Sequence, residues 1–145
     1  MPRMIFVNLP VADLDRSTAF YKAIGAEQNL QFTDDTATMM SLADSIHVML
    51  LTHDRFRQFT PKPIADPRES VQVLLALSCD RREGVDEISD KALAAGGREA
   101  HGPEDLGFMY SRAFEDPDGH GWGPFWMDME AAGAGSQSAE TAASA

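Results

Sequence analysis

The chain has 145 residues, 43% of them hydrophobic, enough for one domain with a core of its own. A formal net charge of −11 excludes nucleic-acid binding through phosphates, which needs clustered Lys and Arg, and argues against an anionic membrane surface as partner. Cys79 is the one cysteine, so there is no intramolecular disulfide framework, and no apolar stretch reaches the length of a membrane span.

Met1–Asn8 lacks the long apolar core of a signal peptide, and a reducing cytoplasm is the expected compartment. Ile5 to Leu9 reads as a strand ended by Pro10. Asp13 is placed to cap a helix on which Leu14, Ser17, Phe20, Tyr21 and Ile24 recur at helical spacing, with Gly25 at its end. Strands are expected over 28–33, 38–42 and 46–52, separated by Asp34-Asp35 and Asp44-Ser45 turns. His53 to Ser70 holds three prolines and reads as a linker, with one helical turn near Phe56 and Phe59.

The order then repeats. Val71 to Cys79 is β-rich, and Asp80 is placed to cap a helix carrying Val85, Ile88, Ala92 and Leu93, ended by Gly96-Gly97. Strands are expected over 98–101, 108–114 and 121–127. Between the last two, Asp116-Pro117-Asp118-Gly119 has the residues of a tight turn. Strand, helix and three strands thus occur twice, which predicts an α+β domain of two βαβββ modules rather than a doubly wound sheet. Module one spans 4–52, the linker 53–70 and module two 71–128, within a domain of residues 1–130. Residues 131–145, rich in Ala, Gly and Ser, are expected to form a flexible tail.

Three segments carry a resemblance: IFVNLPVADLDRSTAFYKAIGA, VLLALSCDRREGVDEISDKALAAGG and GFMYSRAFEDPDGHGW. Together they resemble the vicinal oxygen chelate superfamily, the glyoxalase/bleomycin resistance protein/dioxygenase group, over about residues 4 to 128. The resemblance implies curved sheets around a cavity. In metal-dependent members, four strands each lend a His, Gln or Glu to one divalent ion that polarises substrate oxygens. Carried onto this chain, those four places fall at Phe6, Leu50, Leu74 and Gly123, none with a side-chain donor. No metal and no other cofactor is therefore expected.

If Leu50 faces the cavity, strand alternation puts His47 on the opposite face. His47, His53, His101 and His120 form no ligand pattern, and structural roles are expected for all four. Asn8 shares a face with Phe6, Gln72 with Leu74 and Phe125 with Gly123; Asn8 and Gln72 would supply uncharged polar contacts or satisfy neighbouring backbone. Tyr110 and Arg112 share one face of their strand and would bind an anion or planar ring if that face were concave. Pro124 cannot donate to a ladder, so its strand should be locally irregular or at an edge.

The expected function is binding of a small, partly apolar molecule in the cavity, lined by Phe6, Asn8, Leu50, Gln72, Leu74, Tyr110, Arg112, Gly123 and Phe125, in a homodimer that covers exposed sheet edges. Two alternatives stand beside it. One is a metal-dependent lyase or isomerase of the glyoxalase type, which needs a Lewis acid and a base that position 123 no longer supplies. The other is a degenerate interaction protein with no ligand.

Overall fold

The computed structural model describes residues 2–134. In module one, β1 (Ile5–Val11) leads into α1 (Leu14–Ala23), followed by β2 (Glu27–Asn29), β3 (Ala37–Ala43) and β4 (Ile46–Thr52). A short α2 (His53–Arg57) opens the linker. Module two runs β5 (Leu74–Ser78), α3 (Arg82–Ala94), β6 (Arg98–Asp105), β7 (Met109–Glu115) and β8 (Gly121–Met127), and α4 (Met129–Ala134) follows. The strands form two four-stranded sheets of matching order, β1-β4-β3-β2 and β5-β8-β7-β6, each with one parallel pair.

Local chemistry sets the boundaries. The Asp13 carboxylate accepts the backbone N–H of Arg16, the expected N-cap of α1. Gly97 cannot be replaced without movement, because a Cβ there would lie 2.7 Å from the carbonyl of Glu115 and 2.8 Å from that of Ala92. The helix end is therefore pressed against β7, and the second of the paired glycines is needed for close approach.

Several expected boundaries shift. Pro10 does not end β1, because β1 is an edge strand whose open side has no ladder to lose. The second strand stops at Asn29, whose side chain accepts the N–H of Gln31 and starts a 3-10 turn at Leu30–Phe32. Asp80 does not cap α3; the cap position is Arg81, with no side-chain bond. Val71 to Val73 lie outside β5, whose pairing with β8 begins at Leu74 opposite Gly121. β6 reaches Asp105, four residues past expectation, with irregular register against β7. Residues 131–134 belong to α4, and the rest of the expected tail lies outside the described residues.

Pro124 sits in β8, which lies inside its sheet between β5 and β7, not at an edge. The β7–β8 ladder is interrupted where Arg112 and Ala113 lie opposite Pro124 and Gly123, the irregularity that a missing N–H produces.

The two sheets meet through their helix-bearing faces. Leu9, Val11, Met40, Val48 and Leu50 from the first sheet, Phe20, Tyr21 and Ile24 from α1, and Phe114 and Trp122 from the second sheet form one core. Phe20 packs on Phe114 and Tyr21 edge-on to Trp122. This back-to-back join leaves the other face of each sheet turned outward. No described helix is long and apolar enough to cross a membrane.

Candidate functional site: an open cup and a seam between modules

The outward face of the second sheet is a cup of about 540 Å³. Leu74, Ala76, Gly123, Phe125, Met109 and Met127 line it, and Leu74 is 75% exposed. Alternation explains the set: Leu75, Trp122, Pro124 and Phe114 turn to the core, so their strand neighbours turn out. At Gly123 a Cβ would find its nearest neighbour, the Arg112 carbonyl, at 3.8 Å, so the missing side chain leaves real space in the cup.

Leu50 is not a cavity residue. It is fully buried in the helix-side core, level with Leu9 of β1. The outward place on β4 belongs to His47, in register with Phe6. The two rings stack with centroids 4.7 Å apart. His47 Nδ1 is hydrogen-bonded to the Ser41 hydroxyl at 2.8 Å, while its Nε2 is buried with no partner among the described residues. The sequence reading misplaced this imidazole because alternation fixes which residues share a face and not which face turns outward.

The Tyr110 and Arg112 side chains also leave the candidate site, Arg112 keeping its backbone carbonyl at the cup wall beside Gly123. Both turn to α3, where the Tyr110 hydroxyl and the Arg112 guanidinium donate to Asp86. Arg112 reaches Asp90 and Glu99 as well, and Arg82 lies over the Tyr110 ring. The Tyr110 hydroxyl donates the leading contact that lowers the Asp86 carboxyl below its ordinary range, with Arg112 adding to it.

Asn8 and Gln72 come together, though not in the cup. Both line a second pocket of about 400 Å³ in the seam between β1, the linker and the start of β8, which adjoins the cup and shares Val71, Leu75 and Gly121 with it. Gln72 reaches it because it precedes β5 rather than belonging to it. His120 borders the same seam, its Nε2 donating to the carbonyl of Pro10 at 2.8 Å.

Beside the seam, the Asp-Pro-Asp-Gly turn does more than reverse the chain. Gly119 adopts φ +101°, as the turn requires. Asp116 Oδ1 accepts the N–H groups of Asp118 and His120, and Oδ2 accepts the Tyr21 hydroxyl. Asp118 accepts the Ala12 N–H, the Ser17 hydroxyl and the Arg16 guanidinium. Burial raises the Asp116 carboxyl above its ordinary value, opposed by His120 and the Tyr21 bond. Burial first, then Asp116, raises the Tyr21 phenol well above its own. The sequence offered a signal for this network in Ser17 and Tyr21, polar groups on the apolar face of an amphipathic helix.

Two βαβββ modules joined this way match a known family model, the glyoxalase/bleomycin resistance protein/dioxygenase superfamily, over residues 3–123. The chain belongs to that superfamily. A hypothetical protein from S. aureus has 26% identity and a TM-score of 0.73, the match covering 87% of this chain and 94% of that one. A superfamily enzyme from Burkholderia phytofirmans aligns at 18% identity with a TM-score of 0.72, over 87% and 99% of the two chains. The fosfomycin resistance protein FosX from Listeria monocytogenes aligns at 20% identity with a TM-score of 0.64, over 90% and 97%. No match is found among curated proteins. The superfamily's implied metal can be tested against these residues: among the described residues, no three His, Cys, Asp or Glu side chains are grouped to hold an ion.

Proposed function

We propose that the protein binds a small, largely apolar molecule in the cup of the β5–β8 sheet, and does so without a divalent metal centre. The observation that carries this reading is the cup itself: an outward, apolar hollow of about 540 Å³ with Leu74 75% exposed at its wall. That volume and lining suit a small-molecule site, and apolar surface of this kind on a folded chain marks a place of contact.

The donor set supports the second half of the proposal. Phe6, Leu74 and Gly123 carry no metal-binding atom, Leu50 is turned to the core, and His47 stands in the outward register beside Phe6 as a single imidazole. Such residues do not fit an ion that needs several hard or borderline donors.

The cup has one wall in one chain, and a second copy would supply the other. We therefore propose a homodimer in which each copy covers the other's apolar face, with the reducing cytoplasm as compartment.

The test uses indole and 1-naphthol as neutral apolar probes, read by backbone amide shifts. Expected are shifts centred on Gly123, Phe125 and Met127, abolished by Gly123→Leu with an unchanged apo melting temperature. Sedimentation should show a dimer at micromolar concentration. Absence of shifts at millimolar probe, or about one divalent metal per chain by elemental analysis, would overturn the reading.

A further inference from the structure

The seam pocket is chemically unlike the other hollows. The hollow beside it is bordered by Asp66 and Asp118, that along α1 by Asp13 and Asp34, and the cup by Glu115. In a chain of net charge −11, the seam is lined by no carboxylate among the described residues. Its one permanently charged lining residue is Lys62, and among the described residues no Asp or Glu lies within 4 Å of that ammonium. The side-chain amides of Asn8 and Gln72, both exposed, border the same space, and neither has a hydrogen-bond partner among the described residues, so each is free to exchange water for a ligand. The rest of the lining is apolar, chiefly Phe56, Ile64, Val73 and Leu75.

We infer that this seam is a second ligand site, adjoining the cup along Val71, Leu75 and Gly121 but with its own polar groups, which takes a small organic acid with an apolar body. The apolar wall buries the body. The unpaired ammonium of Lys62 meets the carboxylate, and the Asn8 and Gln72 amides have N–H groups free to donate to it. Removal of acidic groups from the lining matters as much as the lysine, because a like charge in the same hollow would repel the ligand. His120 also lines the seam, with its Nε2 already bonded to the Pro10 carbonyl.

The probes are octanoate and 4-phenylbutanoate, each compared with its neutral amide, on the full chain. Shifts should centre on the side-chain amides of Asn8 and Gln72 and on the backbone of Val73. The acids should bind about fivefold more tightly than the amides, the scale of one partly exposed ion pair. Lys62→Met should erase that difference and leave the apo melting temperature unchanged, because Lys62 is exposed. Gly123→Leu, which fills the cup, should leave acid binding intact, so failure here and failure of the cup reading are told apart. Equal affinity for acid and amide, an unaltered preference in Lys62→Met, shifts centred on Gly123 and Phe125, or no shift at millimolar acid would each overturn the inference.

Discussion

The phenol of Tyr21 donates a 2.7 Å hydrogen bond to Asp116, so a residue of the first helix is fastened to the final turn of the second module. The Trp122 indole N–H donates to the same phenol at 3.0 Å. Both Tyr21 and Trp122 belong to the shared core, which makes this a polar joint inside an apolar interface. Each group in it has a partner, the condition under which a buried network holds two units in one arrangement.

Tyr21→Phe should therefore cost more than one hydrogen bond. It removes the donor to Asp116 Oδ2 and the acceptor for Trp122 together, leaving two buried polar groups unpaired. Urea unfolding should show a loss of about 2–4 kcal/mol, with the folded state otherwise intact. A loss below half of that range would mean that water replaces the phenol and that the modules are held by apolar contact and by the Asp118 and His120 bonds.

The raised carboxyl of Asp116 predicts a specific pH dependence. Its folded-state pKa lies above the unfolded one, so the native state holds the proton more tightly between the two values. That contribution is full below the ordinary carboxylate range and is lost as pH rises through the raised value. Asp86, whose carboxyl is lowered, acts in the opposite sense, losing stability as pH falls. Comparing wild type with Asp116→Asn isolates the first effect. The stability difference between them should change across that window and be flat above it. A difference constant at every pH would show that the Asp116 environment does not perturb its titration.

How far the sequence carries is clearest at particular residues. The duplicated order, the Asp13 cap and the glycine ends were legible because they are local: a capping oxygen and a turn conformation act over a few residues. The side of β4 that faces outward was not, because Val48, Met49, Leu50 and Leu51 put apolar residues on both faces, and packing against α1 decides. Gln72 was misread for a related reason. Val71 and Val73 have strand character, yet the ladder begins where β8 offers a partner, at Gly121. The polar joint was half legible, since Asp-Pro-Asp-Gly suggests a turn by composition while its carboxylates are spent on groups about 100 residues earlier.

Arg112 tests the face assignment of β7. Its guanidinium meets Asp86, Asp90 and Glu99, all on the helix side and all partly exposed, so water screens each pair. Arg112→Ala should lower stability by about 1–2 kcal/mol, through lost packing of its stem on the sheet as much as lost charge. It should leave probe binding in the cup unchanged. Loss of binding with unaltered stability would place the side chain in the cup after all.

Leu50 and Leu74 give the most direct check, because the resemblance assigned them the same role and the fold gives them opposite ones. Leu50 has no exposed surface and packs with Leu9, Val48 and Met40 against α1. Leu74 is 75% exposed at the wall of the cup. Truncating Leu50 to Ala opens a void in close-packed surroundings, and the loss should be about 2–5 kcal/mol. The same change at Leu74 removes few contacts within the chain and should cost below about 0.5 kcal/mol. Its effect should appear in binding of apolar probes and, if two copies share the cup, in dimer affinity. Equilibrium unfolding of both variants, at a concentration where wild type is monomeric, separates the cases. Similar losses at the two positions would mean that the outward face of β5 is covered within the monomer, and the cup would then be part of the core.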